Sequence, residues 1–337
     1  MNTSAIGESP KFRVGAVNVG DAIGAFRFTV DISASVAKSV KFAFKSNEAI
    51  LAFKSNSVWV DVLIGFPKSL VLSTFGKPTK DSGTKSFLSL QAAVQALKNN
   101  KINLLVTAPI NKNNIQSEKF KFPGHTDYLA QELDGDSLMF MICDELKIGL
   151  LTDHVALKEI NRHVTKQRIE QKFSLINESL KKDFGIQKPK IAVLSIDPHA
   201  GDGGVIGKDD QDILKPVLLE IASKNNLVFG PFSSDSFFGS GQHKKYDAVL
   251  AIYHDQGLIP FKTLSFGSGV NYTAGLNKVR TSPDHGTGYD IAGKGLADST
   301  SFKNAIFSAI EIFKSRKLFE DLNKNPLNLS NSKTAKK

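Results

Sequence analysis

The chain has 337 residues, 41% hydrophobic and 23% charged, a balance that belongs to a globular protein with core enough for two domains and excludes disordered and fibrous architectures. Its net charge of +10 is unevenly placed: residues 1–100 hold 12 basic and 6 acidic groups, residues 101–300 hold 23 and 24, and residues 301–337 hold 8 and 3. The middle of the chain is neutral, so the overall excess does not point to a nucleic-acid partner.

The N-terminus has no basic segment leading into an apolar one, and no apolar run approaches the ~18 residues that span a bilayer. A cytoplasmic protein without membrane contact is expected. The first 80 residues give no clear periodicity, although Phe42-Ala-Phe-Lys-Ser-Asn47 and Leu51-Ala-Phe-Lys-Ser-Asn56 are near-duplicates. Beyond them, helix-like spacing over Phe87–Lys98, Thr165–Phe184, Asp209–Asn225 and Ser301–Leu322 alternates with short apolar runs at Asn103–Thr107, Ser137–Cys143, Lys147–Thr152, Lys190–Ile196 and Asp247–Tyr253. Runs of this kind without polar alternation are expected of parallel strands buried on both faces, and the alternation of strand with helix predicts an α/β layered fold. The lone cysteine, Cys143, lies in one such run, which excludes an intrachain disulfide and a Cys-based zinc site. Asn323–Lys337 is polar and Lys-rich and reads as a frayed tail.

All seven histidines fall between residues 125 and 285, inside the neutral stretch. Three of them, His154, His199 and His254, end apolar runs. In open α/β sheets ligands bind beyond the carboxyl ends of the strands, so three imidazoles so placed are candidates for one divalent-metal site. Asp197–Gly207 carries four glycines in its last seven residues just ahead of a helix; it reads either as an anion-facing loop or as a tight strand-to-helix connection. It matches neither the P-loop nor the G-x-G-x-x-G dinucleotide pattern. Phe122-Pro-Gly-His-Thr-Asp127 is a turn running into a helix, where His125 and Thr126 suit a phosphate and Thr126 or Asp127 equally suits a simple cap. Lys262, Asn271 and Arg280 read as an anion clamp or as ordinary surface groups.

Five strings are more specific than this: Val106-Thr-Ala-Pro-Ile-Asn-Lys112, Phe122–Asp127, Asp197-Pro-His-Ala-Gly-Asp-Gly-Gly204, Tyr253-His-Asp-Gln-Gly257 and Arg280-Thr-Ser-Pro-Asp-His-Gly-Thr287. Together, over residues 100–315, they resemble the 4-hydroxythreonine-4-phosphate dehydrogenases of vitamin B6 biosynthesis. Asp284–Asp298 is also similar to the cofactor loop of isocitrate and isopropylmalate dehydrogenases. The resemblance implies a two-domain α/β/α fold of the isocitrate/isopropylmalate dehydrogenase kind, with the cleft between domains completed across a homodimer. It divides the chain into a cofactor-side domain (1–108 plus 262–325), a metal and dimerisation domain (109–261) and a flexible basic tail (326–337). It further implies NAD or NADP as cofactor, one divalent ion (Zn, Mg or Co) on His154, His199 and His254, and a small phosphorylated amino-acid substrate. Substrate contacts would fall on His125, Thr126, Lys262, Asn271 and Arg280, cofactor contacts on His285, Gly286, Thr287 and Asp290, and catalytic roles on Asp235 and Lys262. The expected reaction is oxidation at C3 of 4-phosphooxy-L-threonine followed by decarboxylation; a threonate or erythronate 4-phosphate dehydrogenase and a non-catalytic relative are the alternatives. The family's loop similar to Gly-Asp-x-x-Gly-Ile-Gly-Pro-Glu is altered here to Gly20-Asp-Ala-Ile-Gly-Ala-Phe-Arg27.

Overall fold

The computed structural model describes residues 12–17, 40–45, 48–55, 58–65, 76–133, 135–292 and 294–325, with side chains from residue 76 onward. The loop at residues 20–27 and the tail beyond 325 lie outside these. Among the described residues the strands are β1 (Phe12–Val17), β2 (Val40–Lys45), β3 (Glu48–Ser55), β4 (Val58–Gly65), β5 (Leu104–Thr107), β6 (Leu138–Ile142), β7 (Lys147–Leu150), β8 (Lys190–Leu194), β9 (Leu227–Phe232), β10 (Ala248–Ala251), β11 (Val270–Ala274) and β12 (Val279–Pro283). The helices are α1 (Lys80–Lys98), α2 (His125–Glu132), α3 (Ile160–His163), α4 (Lys166–Lys182), α5 (Lys215–Ser223), α6 (Ser234–Gly239), α7 (His254–Ser265) and α8 (Thr300–Asn323). The expected α/β architecture is present. The near-duplicate strings form β2 and β3, which pair antiparallel with Phe42 opposite Leu51.

The strands form one sheet in the order β2-β3-β4-β1-β5-β12-β11-β6-β7-β10-β8-β9. The expectation of a parallel sheet is corrected here, because β6 runs antiparallel to both β7 and β11, and β11 antiparallel to β12. The reason is local. Only a tight turn, closed by Cys143 N–H donating to Leu146 O at 2.9 Å, separates β6 from β7, whereas a parallel pair needs a crossover of a dozen residues or more. On the far side β7, β10, β8 and β9 are mutually parallel.

Two of the long helices, α1 and α4, follow from their caps and apolar stripes. Thr79 and Ser82 close a reciprocal capping box at the start of α1, and Thr165 Oγ1 accepts from Arg168 N–H to start α4. Ile169, Phe173, Ile176 and Leu180 then press α4 on the sheet, joining the largest core cluster with β6, β8, β10 and β11. The helix expected over Asp209–Asn225 opens instead as a wide turn, Asp210–Leu214, before α5. Pro216 has no N–H to return to Asp212, so a regular ladder cannot begin there. Helix α7 lies close on β7 through Gly257, where a Cβ would stand 2.9 Å from both Ile148 and Leu150.

Candidate active site

The site is built on one face of the sheet. In the register of β6, β11 and β12, Met141, Asn271 and Ser282 stand in one cross-strand row, and Met139 and Thr273 pair in the next, level with Arg280. Side chains paired across strands share a face, and Met139, Met141, Asn271, Arg280 and Ser282 floor a 260 Å³ cavity, walled by the segment after β5, by α2 and by α7. Arg280 is 2% exposed. Its guanidinium donates to Thr107 Oγ1 at 2.6 and 3.1 Å and to Thr273 Oγ1 at 3.0 Å. Among the described residues no ion-pair contact to a carboxylate offsets its charge, and loss of hydration pulls its pKa down to about 9. A cation so placed favours an incoming anion.

Helix α2 delivers the second group. Its N-cap is Gly124, with no side-chain capping bond, so neither Thr126 nor Asp127 serves as the cap. His125 and Thr126 are both buried at the cavity. Burial, then the charges of Arg280 and Lys112, hold the His125 pKa well below its ordinary value, which keeps the ring neutral. Its Nε2, an Asp127 carboxylate oxygen and Asn271 Oδ1 are buried with no hydrogen-bond partner among the described residues. Polar atoms left in that state beside a cavity suit a polar ligand. Desolvation, then the nearby Asp153, raise the Asp127 pKa.

The three strand-end histidines leave β7, β8 and β10 at the same end of the sheet, since β10 runs parallel to both neighbours. His154 and His254 meet at the cavity with ring centroids 6.0 Å apart. Each has a carboxylate near Nδ1: Asp255 Oδ1 at 2.7 Å from His254 and Asp153 Oδ2 at 4.0 Å from His154. At His254 the carboxylate is within hydrogen-bond reach, so it holds the proton on Nδ1 and leaves the Nε2 lone pair for a cation. Lys112 Nζ lies 2.9 Å from His154 Nε2; an ammonium only donates, which fixes that nitrogen as the acceptor. Burial, then the Lys112 charge, lower the His154 pKa. His199 is exposed in a run with left-handed backbone from His199 to Gly203 (φ 54, 53, 77, 42 and 67°). Its charge lowers the pKa of Asp235, a smaller effect than the Asp235 hydrogen bonds with Ser233 and Ser236. Within one chain, no group of three or more His, Cys, Asp or Glu side chains forms a cation site among the described residues. The donor set therefore fits a divalent ion in part, with two imidazoles together and the third at the neighbouring strand end.

Comparison with known proteins decides the family. The sequence model described as "Pyridoxal phosphate biosynthetic protein PdxA" matches residues 24–309. The chain is 47% identical to the 4-hydroxythreonine-4-phosphate dehydrogenase of Bacteroides thetaiotaomicron over 75% of its own length and 70% of that protein's. It is 44% identical to the enzyme of that name from Sulfurihydrogenibium sp., over 72% and 75% of the two chains. The crystal structure of 4-hydroxythreonine-4-phosphate dehydrogenase from Klebsiella pneumoniae superposes with a TM-score of 0.66 at 32% identity, covering 77% of this chain and 78% of that one. The chain belongs to the PdxA family. The match begins at residue 24, well ahead of the motifs from residue 106 onward.

The remaining expected residues divide. His285 and Gly286 border the cavity, and a Cβ on Gly286 would meet open space, leaving the backbone approachable by a cofactor. Thr287 and Asp290 follow in the same loop without lining the cavity. Lys262, on α7, lines the wall and donates to Asp284 O at 3.2 Å. Asp235 lies beside His199, away from that cavity. Three groups were missed as site residues. Lys112 ends the Val106–Lys112 string, Asp127 looked like a cap, and Asp153 gave no signal beyond preceding His154. A larger cavity of 520 Å³, bordered by Asp144, Lys147 and Glu311, lies elsewhere. It gathers none of the histidines and not Arg280, so the chemistry belongs to the smaller one.

Proposed function

We propose that this chain oxidises the C3 hydroxyl of 4-phosphooxy-L-threonine with NAD(P)+ and that the resulting 3-keto acid loses CO2, leaving 3-amino-2-oxopropyl phosphate for pyridoxal 5'-phosphate synthesis. The observation that carries this reading is Arg280, a buried guanidinium with no carboxylate partner among the described residues, facing a cavity with the neutral His125. The relatives' names, 4-hydroxythreonine-4-phosphate dehydrogenase, support a dehydrogenation of that substrate.

His125, Thr126, Lys262, Asn271 and Arg280 hold the phosphate and carboxylate of the substrate and turn C3–H toward the nicotinamide, which lies along His285, Gly286, Thr287 and Asp290. Positioning is their contribution. The hydride passes to NAD(P)+ and the hydroxyl proton leaves through a protein base. We assign catalytic roles to Asp235 and Lys262, the latter already on the cavity wall. A divalent ion (Zn, Mg or Co) on His154, His199 and His254 would supply Lewis-acid polarisation of the C3 oxygen. Because His199 stands with Asp235 and apart from the other two imidazoles, we place the complete site at the interface of a homodimer. We keep the division into 1–108 plus 262–325 and 109–261. No helix among the described residues is long and apolar enough to cross a membrane, which supports a cytoplasmic setting.

The test follows NAD(P)H formation with 4-phosphooxy-L-threonine and with threonate 4-phosphate, before and after chelation. Turnover of the first that is lost on chelation and restored by a divalent ion supports the proposal. Equal activity in metal-free protein removes the metal, preference for threonate 4-phosphate moves the substrate, and phosphate release without NAD(P)+ replaces the reaction with ester hydrolysis.

A further inference from the structure

Lys112 stands at the end of the segment that leaves β5, and two observations fix where its ammonium goes. Gln116 Nε2 donates to Lys112 O and to Phe122 O, each at 2.9 Å, tying the lysine backbone to the turn before α2. Its Cε then lies over Gly124, 3.8 Å from where a Cβ would stand. The Nζ ends 2.9 Å from His154 Nε2. An imidazole nitrogen has one lone pair. A cation held by that nitrogen and the Lys112 hydrogen bond are mutually exclusive.

We propose that Lys112 is a resident cation of the site, holding His154 Nε2 until a divalent ion takes its place and then moving to the Asp127 carboxylate. Asp127 is the available acceptor. One of its oxygens is buried without a partner among the described residues, it lines the same cavity as Lys112 and His154, and α2 holds its backbone in place. The exchange keeps a positive charge at His154 throughout, holds its ring oriented before the ion arrives, and gives the displaced ammonium a partner. It rests on the reading of His154 as a metal ligand. Lys112 is in this role a positioning residue.

The experiment measures Co2+ affinity of the metal-stripped full chain by the visible absorption of the bound ion. The variants are Lys112→Met, Asp127→Asn, both together, and His254→Ala, with Lys112→Gln as a second removal of the charge and melting temperature as the folding control. Removing the ammonium is expected to tighten Co2+ binding about tenfold, the factor set by loss of a charge-assisted hydrogen bond of ordinary net size. Asp127→Asn is expected to weaken it in the parent and to have little effect in the Lys112→Met background, because no ammonium then needs an acceptor. Unchanged or weaker binding by both Lys112 variants overturns the exchange, as does an Asp127→Asn effect that persists without Lys112. Failure of the metal reading looks different: the parent then binds Co2+ no better than His254→Ala, and the exchange falls with it.

Discussion

A guanidinium taken out of water with only hydroxyl partners bears a desolvation cost that no carboxylate offsets, and among the described residues Arg280 is in that state between Thr107 and Thr273. The cost is borne because the charge faces a place for an anion. Arg280→Met is therefore expected to raise KM for a phosphorylated substrate by about 100-fold, the scale of a charge-assisted hydrogen bond pair, without lowering the melting temperature. A cooperative loss of stability instead would make Arg280 a structural residue. His125 yields a pH prediction. Burial first, then Arg280 and Lys112, depress its folded-state pKa below the ordinary 6.5, so the unfolded chain binds the extra proton. The associated stability is fully present above about pH 6.5 and is lost as pH falls toward the folded pKa, at a limit of about 1.4 kcal/mol per pH unit for one group. Urea midpoints between pH 5 and 6.5 are expected to fall less steeply in His125→Gln than in the parent. Part of the slope stays, because His154 and His243 are shifted in the same direction by burial. Identical slopes would remove His125 from the linkage.

At the scale of elements, the glycine-rich segment between β8 and α5 is an unusual device. His199, Ala200 and Asp202 hold left-handed backbone, a conformation that costs a residue with a Cβ about 1–2 kcal/mol. The loop is held from below by Asp210, fully buried, whose carboxylate accepts from Ile196 N–H at 2.9 Å and Asp197 N–H at 2.8 Å. Ala200→Gly is expected to raise stability by about 0.5–1 kcal/mol in urea unfolding, the strain relieved less the backbone entropy of glycine. Gly207→Ala has the opposite sign, because its Cβ would overlap the Asp197 carboxylate; a loss of about 1–3 kcal/mol is expected. Four glycines in a short span were visible in the sequence. That they open a left-handed turn presenting His199 was not, since the turn depends on Asp210 reaching back across 14 positions. Strands β11 and β12 were hidden for a related reason. Their Asn271, Thr273, Arg280 and Ser282 break any apolar run, yet the whole of β12 is buried because its polar side faces a cavity rather than water.

Across the whole molecule, the parallel group β7-β10-β8 carries all three strand-end histidines to one end of the sheet, while the antiparallel β6 and β11 join that group to the half bearing Arg280. The proposed homodimer predicts complementation. If His199 serves a site whose His154 and His254 come from the partner, mixing His199→Ala chains with His254→Ala chains restores about a quarter of parental activity, since half the dimers are mixed and each has one intact site. Two inactive proteins that stay inactive after exchange, verified by mixed-dimer mass, would place each site within one chain.

The sequence by itself determined the α/β class, the strand ends at His154, His199 and His254, and the family, because short ordered motifs and apolar runs are local properties of a chain. It also contained the neutrality of the region that holds every motif, which separates the +10 overall charge from the chemistry. Only the tertiary structure decided that the sheet is mixed, that Lys112 reaches His154 and that Arg280 lies buried among hydroxyls. Those are outcomes of strand pairing and desolvation between residues as many as 173 positions apart, as in the Arg280 to Thr107 bond, and no local pattern encodes them.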